Sequence, residues 1–190
     1  MNWLAYLALL WVFVGLEKGL RDALMLGTTG IAPTFVYVLV TLVAIYATPL
    51  VTTWAALIAG FALDLVFEHQ LKDGGPAVTI IGPYALAYLL SVQLILTLRG
   101  VMFRRNPLTV GFLSGVGGAV ALCLAAGLLS LRVLFGTPLA NWNVGAEMVK
   151  ALGSAAYTAA VGLFLAFPLM PVAGWIGLPV QQAGRFGRRA

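Results

Sequence analysis

One carboxylate lies well inside a strongly apolar stretch and is the side chain best placed to do chemistry or to hold a partner. Asp64 follows Gly60 by four residues and precedes Glu68 by four. Residues four apart share a helix face, so these residues and Ala56 form a stripe that begins with small side chains and ends with acidic ones. An ionisable residue inside an apolar helix marks a functional site by default.

The charge of Asp64 predicts a basic partner within the chain. Arg132 is the first candidate, because it lies near the same end of the predicted helices, and Lys150 is the second. The alternative is structural: Asp64 lies about one turn from the end of its helix, where a carboxylate reaches water at little cost.

The other reactive side chains are few and far apart. The chain has one histidine, His69, and one cysteine, Cys123, whereas a metal site needs several converging ligands. Gly115, Gly117 and Gly118 resemble part of a phosphate loop but complete no nucleotide motif, so helix packing is the preferred interpretation. No Gly-x-Ser-x-Gly element occurs. We expect no catalytic, metal or cofactor site.

The composition places these residues in a membrane. Of 190 residues, 62% are hydrophobic and 9% are charged, whereas soluble domains carry roughly 25% charged residues. A helix needs about 20 apolar residues to cross a bilayer, so about six helices use nearly the whole chain. The sequence predicts an all-α integral membrane protein, with residues 1–170 as one transmembrane domain and 171–190 as an interfacial segment with a basic tail.

Glycine, proline and charged residues mark the boundaries of six predicted helices. Pro33 is expected in the first turn of helix 2. Gly82 and Pro83 indicate a kink or a delayed start in helix 4, and Pro168 and Pro171 are expected to end helix 6. The predicted helices span residues 3–25, 31–47, 51–67, 77–98, 108–134 and 148–167.

Small residues recur at four-residue spacing on the last two predicted helices. Gly111 and Gly115 form a Gly-x-x-x-Gly element, and Ser154, Thr158 and Gly162 form a second stripe. Such stripes permit close approach of helices in lipid. They indicate packing within the chain, with contact to another protein as the alternative, and helix 5 is expected to be the central helix.

Arginines cluster on one predicted side of the membrane. The loop after helix 4 and the C-terminus carry them without acidic neighbours, and Lys and Arg concentrate on the cytoplasmic side. Both termini are therefore expected in the cytoplasm. The cluster after helix 4 is interpreted as a topology signal, with anionic lipid binding as the alternative, and no nucleic-acid surface is expected. The arginines on this side, in the loop after helix 4 and at the C-terminus, are Arg99, Arg104, Arg105, Arg185, Arg188 and Arg189.

Three features follow one another along the chain. A proline opens an early helix, a tryptophan-to-glycine stretch leads into a Gly-Phe-x-x-x-Asp-like element that reads Gly-Phe-Ala-Leu-Asp here, and an apolar helix has a Gly-Pro start. This order resembles the bacterial rod shape-determining protein MreD family over about a third of the chain. Thr34 stands where that family often has an acidic residue. The residues that carry the resemblance are Pro33, 54–60, Phe61, Asp64, Gly82, Pro83, Tyr84 and Tyr88.

The resemblance implies a non-enzymatic inner-membrane component of the cell-wall elongation machinery, which binds MreC and wall synthases. MreD-like proteins are also similar in fold to the small six-helix substrate-binding components of energy-coupling-factor vitamin transporters, which is the main alternative. Those components share an Ala-x-x-x-Ala element on the first helix, whereas Ala5 and Ala8 are three apart. A third interpretation, a lipid-modifying enzyme, would rely on Glu68, His69 and Asp73.

Overall fold

A computed structural model describes residues 1–72, 77–100, 106–136, 139–140 and 142–178. The described residues form six helices and one small antiparallel sheet, which confirms the predicted all-α membrane bundle. In chain order they are α1 (Trp3–Leu24), α2 (Phe35–Tyr46), α3 (Pro49–Val66), β1 (Glu68–His69), β2 (Val78–Thr79), α4 (Pro83–Leu98), α5 (Pro107–Leu134) and α6 (Val144–Trp175).

The helices fall into two length classes. Among the described residues, α1, α3, α5 and α6 are each long and apolar enough to cross a membrane. By contrast, α2 has 12 residues and α4 has 16, which at 1.5 Å per residue gives about 18 and 24 Å against a core of about 30 Å. A crossing by either short helix would need extended backbone to complete it, and such backbone is tolerated only where protein surrounds it.

The short helix α2 is the centre of the bundle. Every residue from Phe35 to Ile45 is buried, and α2 packs against each of the other five helices. The prediction that helix 5 is central is therefore wrong. Lipid is as apolar as a protein core, so a helix that is apolar on every side does not reveal from sequence whether it faces lipid or protein.

Both short helices begin later than the sequence predicted. Thr34 is the N-cap of α2, so Pro33 lies before the helix and not in its first turn. The delayed start of α4 is confirmed, because Gly82 has a φ of 120° and Pro83 is the first helical residue. The connection between α2 and α3 is short, since α2 ends at Tyr46 and α3 begins at Pro49.

The prediction that two prolines end helix 6 is wrong, because α6 continues through Pro168 and Pro171 to Trp175. A proline removes one helical hydrogen bond, whereas ending the helix in lipid would leave several backbone groups without partners. Just past this end, the N–H of Asn2 donates to the carbonyl of Ile176 at 2.7 Å. The N-terminus and the end of α6 therefore lie together.

The opposite end of the bundle carries the polar loops. There α1, α3 and α5 end while α2, α4 and α6 begin, and β1 pairs with β2 in antiparallel register. Leu71 forms a bridge with Leu139, and the N–H of Ala140 donates to the carbonyl of Gln70 at 2.9 Å. We call this the polar end of the bundle.

Candidate functional site

The carboxylate of Asp64 binds the beginning of α4. Asp64 is 1% exposed, and its Oδ2 accepts from the N–H groups of Gly82 at 2.9 Å and Ala85 at 3.1 Å. Its Oδ1 accepts from the N–H of Tyr84 at 2.9 Å. The first N–H groups of a helix have no partner within it, and Pro83 has no N–H. Asp64 thus satisfies the first turn of α4 and complements its dipole.

Asp64 was expected to form an ion pair with Arg132 or Lys150, and the structure corrects this. Backbone amides surround the carboxylate, while Lys150 Nζ lies 2.6 Å from Glu147 Oε1. A helix start offers three donors and a partial positive charge, so the carboxylate is stabilised without the desolvation of a second full charge. Asp64 therefore makes a buried contact within the chain, but with a partner other than the two that were predicted.

Gly60 lets α3 and α4 touch through their backbones. A Cβ atom on Gly60 would lie 2.5 Å from the carbonyl oxygen of Tyr84 and 2.6 Å from the Cα of Ala85. The four-residue spacing places this close approach and the Asp64 hydrogen bonds on the same face of α3. We call the set of Gly60, Asp64, Gly82, Tyr84 and Ala85 the α3–α4 contact.

Glu17 does for α2 what Asp64 does for α4, and sequence reasoning missed it. Its Oε2 accepts from the N–H groups of Phe35 at 2.5 Å and Val36 at 3.2 Å, and Glu17 is 1% exposed. Arg21 follows Glu17 by four residues, a spacing that is typical of a local ion pair on a helix. The two partners are 18 residues apart in the chain, so no local spacing indicated this contact.

The stripe on α6 holds the extended backbone before α2. Ser154 Oγ accepts from the N–H of Ala32 at 3.2 Å, and Thr158 Oγ1 accepts from the N–H of Thr34 at 2.9 Å. Thr158 in turn donates to the carbonyl of Ser154 at 2.7 Å. Glu17 accepts from residues 35 and 36, and Pro33 has no N–H. Every backbone N–H group from residue 32 to 36 therefore donates to a side chain.

The remaining predicted small residues lie between α5 and α6. A Cβ on Gly111 would lie 2.9 Å from the carbonyl oxygen of Ala159, and one on Gly115 would lie 2.7 Å from the Cβ of Ala159. Gly162 faces Ser114, with 3.3 Å between a Cβ on the glycine and the Ser114 side chain. The structure therefore places both stripes at contacts within the chain.

Arg99 binds the other end of α2. Its Nη1 donates to the carbonyls of Ala44 at 2.5 Å and Ala47 at 2.6 Å, so the central helix has a carboxylate at its start and a guanidinium at its end. This arrangement matches the direction of the helix dipole. The other clustered arginines lie outside the described residues: Arg104, Arg105, Arg185, Arg188 and Arg189.

A cavity of about 460 Å³ opens between the helices at the polar end. Tyr88 is one of the lining residues, and its hydroxyl is buried and has no hydrogen-bond partner among the described residues. Aromatic side chains in the lining are Phe67, Tyr84, Tyr88 and Trp142. Charged residues in the lining are Glu17, Lys18, Arg21, Asp22, Glu68, Glu147 and Lys150.

The cations around this cavity already have contacts. Lys18 Nζ donates to the carbonyl of Val66 at 3.3 Å, the Arg21 guanidinium lies 4.8 Å from the ring centroid of Phe67, and Lys150 pairs with Glu147. They therefore help to hold the ends of α1, α3 and α6.

His69 lies in the cavity lining. Burial lowers the pKa of His69 below its ordinary value, against the opposing effect of the charges on Asp64 and Glu147. The imidazole is therefore neutral at pH 7. Glu68 lies beside it in β1, but the third member of the cluster considered for catalysis, Asp73, lies outside the described residues.

Two further observations bear on identity. Within the described ranges, no three His, Cys, Asp or Glu side chains gather in a way that could hold a metal ion. No protein-family model matches the chain, and no curated protein or solved structure matches it either.

Proposed function

We propose that this chain is a non-catalytic membrane component of the bacterial cell-wall elongation complex, of the MreD type. The observation that supports the proposal is the α3–α4 contact. Gly60, Asp64, Gly82 and Tyr84 carry much of the resemblance, and they belong to one hydrogen-bonded unit. A pattern whose members share one structural task is less easily reached by chance than one of scattered residues.

The use of the polar side chains supports a role without catalysis. Glu17, Asp64 and Arg99 bind the ends of helices, and Ser154 and Thr158 bind extended backbone. A catalytic site needs such groups to converge on a reacting atom. Their engagement in the bundle leaves binding within the membrane as the activity, through the packing of small-residue and apolar helix faces.

The proposed partners are MreC, which crosses the membrane once, and the wall synthases. The proposed location is the bacterial inner membrane with both termini in the cytoplasm. The hydrogen bond between Asn2 and Ile176 supports an even number of crossings, because it joins the two ends of the described chain. The polar end then faces away from the cytoplasm.

Depletion of the protein in its host tests the proposal. We expect altered cell width or shape, rescue by the wild-type chain, and recovery of MreC by pull-down in mild detergent. A Gly60→Leu variant should fail to rescue because its side chain would collide with the backbone of α4. Gly15→Leu is the matched control, since nothing lies within 4 Å of a Cβ there. Normal morphology after depletion would contradict the proposal.

A vitamin-binding component of an energy-coupling-factor transporter is the second candidate. The observation that favours it is the cavity, whose volume of about 460 Å³ lies in the range of about 300–1,000 Å³ that small-molecule sites occupy. Tight copurification of a vitamin, together with unchanged cell shape on depletion, would decide for this candidate.

A further inference from the structure

We infer that the cavity at the polar end binds a small ligand through the ligand's primary ammonium group. The inference goes beyond the scaffold function and does not depend on it, because the α3–α4 contact and the cavity are formed by largely different side chains. It follows from three features of the lining: where the hydrogen-bond donors are used, which charges lack partners, and one buried hydroxyl.

The first feature is that the starts of α2 and α4, which would attract an anion, are already bound by carboxylates. Helix starts bind anions through free N–H groups, but Glu17 accepts from the start of α2 and Asp64 from the start of α4. The basic side chains also make contacts within the protein. Lys18 donates to a backbone carbonyl, Arg21 lies over an aromatic ring, and Lys150 is paired with a carboxylate.

The second feature is an excess of carboxylate. Four carboxylates and three basic side chains line the cavity, and burial lowers the pKa of His69, so its imidazole adds no charge at pH 7. Asp22 and Glu68 are exposed at the mouth, and neither side chain has a hydrogen bond or ion pair with another described residue. With four carboxylates against three cations, the lining carries a formal excess of one negative charge.

The third feature is the hydroxyl of Tyr88. It is buried and unpartnered, which leaves a polar group without the hydrogen bond that buried groups normally make. A phenolic oxygen can accept from an ammonium group. The rings of Tyr84 and Trp142 also line the cavity, and aromatic faces attract cations. Carboxylates, rings and an accepting hydroxyl together suit an ammonium ion.

An ammonium group can reach this cavity from two sources. A soluble primary amine can enter from the aqueous side, where Asp22 and Glu68 are exposed. A phosphatidylethanolamine headgroup can enter from the bilayer, because the mouth lies where the helices end. The recognised chemistry is the same, so the experiment has one arm for each source.

The first arm titrates ethanolamine into the full chain, purified in lipid-free detergent, by calorimetry. We expect saturable binding that Tyr88→Phe and Glu68→Gln each weaken about tenfold, the effect of losing one hydrogen bond to a charged group. Tyr88→Phe removes a hydroxyl that makes no bond, so its thermal midpoint should not fall. Tyr157→Phe, which loses a hydroxyl outside the cavity lining, is the matched control and should bind as the wild type does.

The second arm places the protein in nanodiscs of phosphatidylethanolamine and phosphatidylglycerol and measures retained lipid by native mass spectrometry. Enrichment of the ethanolamine lipid that is lost in Tyr88→Phe assigns the site to the headgroup. Ethanolamine binding without that enrichment assigns it to a soluble amine. The inference is overturned if neither probe responds to the substitutions, or if inorganic phosphate binds more tightly than ethanolamine. Either result leaves the cell-shape test unaffected.

Discussion

Glu17 and Asp64 are fully buried carboxylates in a bilayer-spanning bundle, and each is stabilised by the backbone of a neighbouring helix. In both cases the acceptor lies on one helix, and the donors lie at the start of the next helix along the chain. A carboxylate that accepts several N–H bonds at a helix start gains both hydrogen bonds and dipole attraction. Each residue therefore fixes where a short helix begins.

Replacement of Asp64 should destabilise the fold because three backbone donors lose their acceptor. Asp64→Ala leaves the N–H groups of Gly82, Tyr84 and Ala85 unpaired, and a buried unpaired group costs about 1–3 kcal/mol. We expect a loss of at least about 2–3 kcal/mol, seen as a lower thermal midpoint in detergent. Asp64→Asn keeps one acceptor oxygen and should lose less.

The matched control for Asp64 is Asp22→Asn, because Asp22 is exposed and makes no hydrogen bond within the described chain. Its midpoint should stay close to that of the wild type. A double exchange, Asp64→Arg with Arg132→Asp, should not restore stability, since an arginine cannot accept from the start of α4. Recovery in the double exchange would show that the carboxylate acts through an ion pair instead.

His69 should make stability depend on pH. Burial lowers its pKa in the folded state below the ordinary value of 6.5, so on acidification the unfolded chain binds a proton before the folded chain does. Stability contributed by the neutral imidazole is thus full above about pH 6.5 and is lost as pH falls through the folded pKa. We expect the midpoint of the wild type to fall more than that of His69→Gln between about pH 8 and pH 5.5. Equal falls would contradict the assignment.

At the scale of elements, the contact between α5 and α6 depends on Gly115. A Cβ there would lie 2.7 Å from the Cβ of Ala159, while the other two nearest atoms are 3.7 Å away. Gly115→Ala should therefore cost about 1–3 kcal/mol by overpacking. Adding Ala159→Gly removes the colliding methyl group and should restore much of the thermal midpoint.

The control for this pair is Gly127→Ala on the same helix, where the nearest atom is Met148 Cε at 3.9 Å. It should be neutral or slightly stabilising, because alanine is the better helix former. If Gly115→Ala is equally neutral, or if the double variant is less stable than either single one, the two helices do not meet at this pair of residues.

Local sequence signals predicted some elements and failed for others for physical reasons. Apolar length gave the number of helices, and Gly82 with Pro83 indicated the late start of α4. Pro168 was misleading, because in lipid a helix tolerates one missing hydrogen bond more easily than an early end. The central position of α2 was not predictable, since the apolar residues 35–45 suit lipid and protein equally.

For the whole molecule, the candidate site was only half predictable. Asp64 stood out because a charge in an apolar helix is rare. Its partners, however, are backbone N–H groups at the start of α4, and no side-chain pattern in the sequence marks them. Glu17 was hidden because Arg21 offered a nearer partner in sequence. The cavity lined by Tyr88 depends on how several helices pack at the polar end, and no local sequence pattern predicts such packing.

The bundle should cross the membrane an even number of times, with its polar end outside the cytoplasm. Asn2 and Ile176 meet at one end, and the arginines after α4 and at the C-terminus favour the cytoplasm for that end. Reporter fusions at Asn106 and Ala190 should therefore show cytoplasmic activity, and a fusion near Gly74 should show the opposite; Gly74 and Ala190 lie outside the described residues. Cytoplasmic activity at Asn106 with external activity at Ala190 would contradict the pairing of the two ends. External activity at both would instead invert the orientation and turn the cavity toward the cytoplasm.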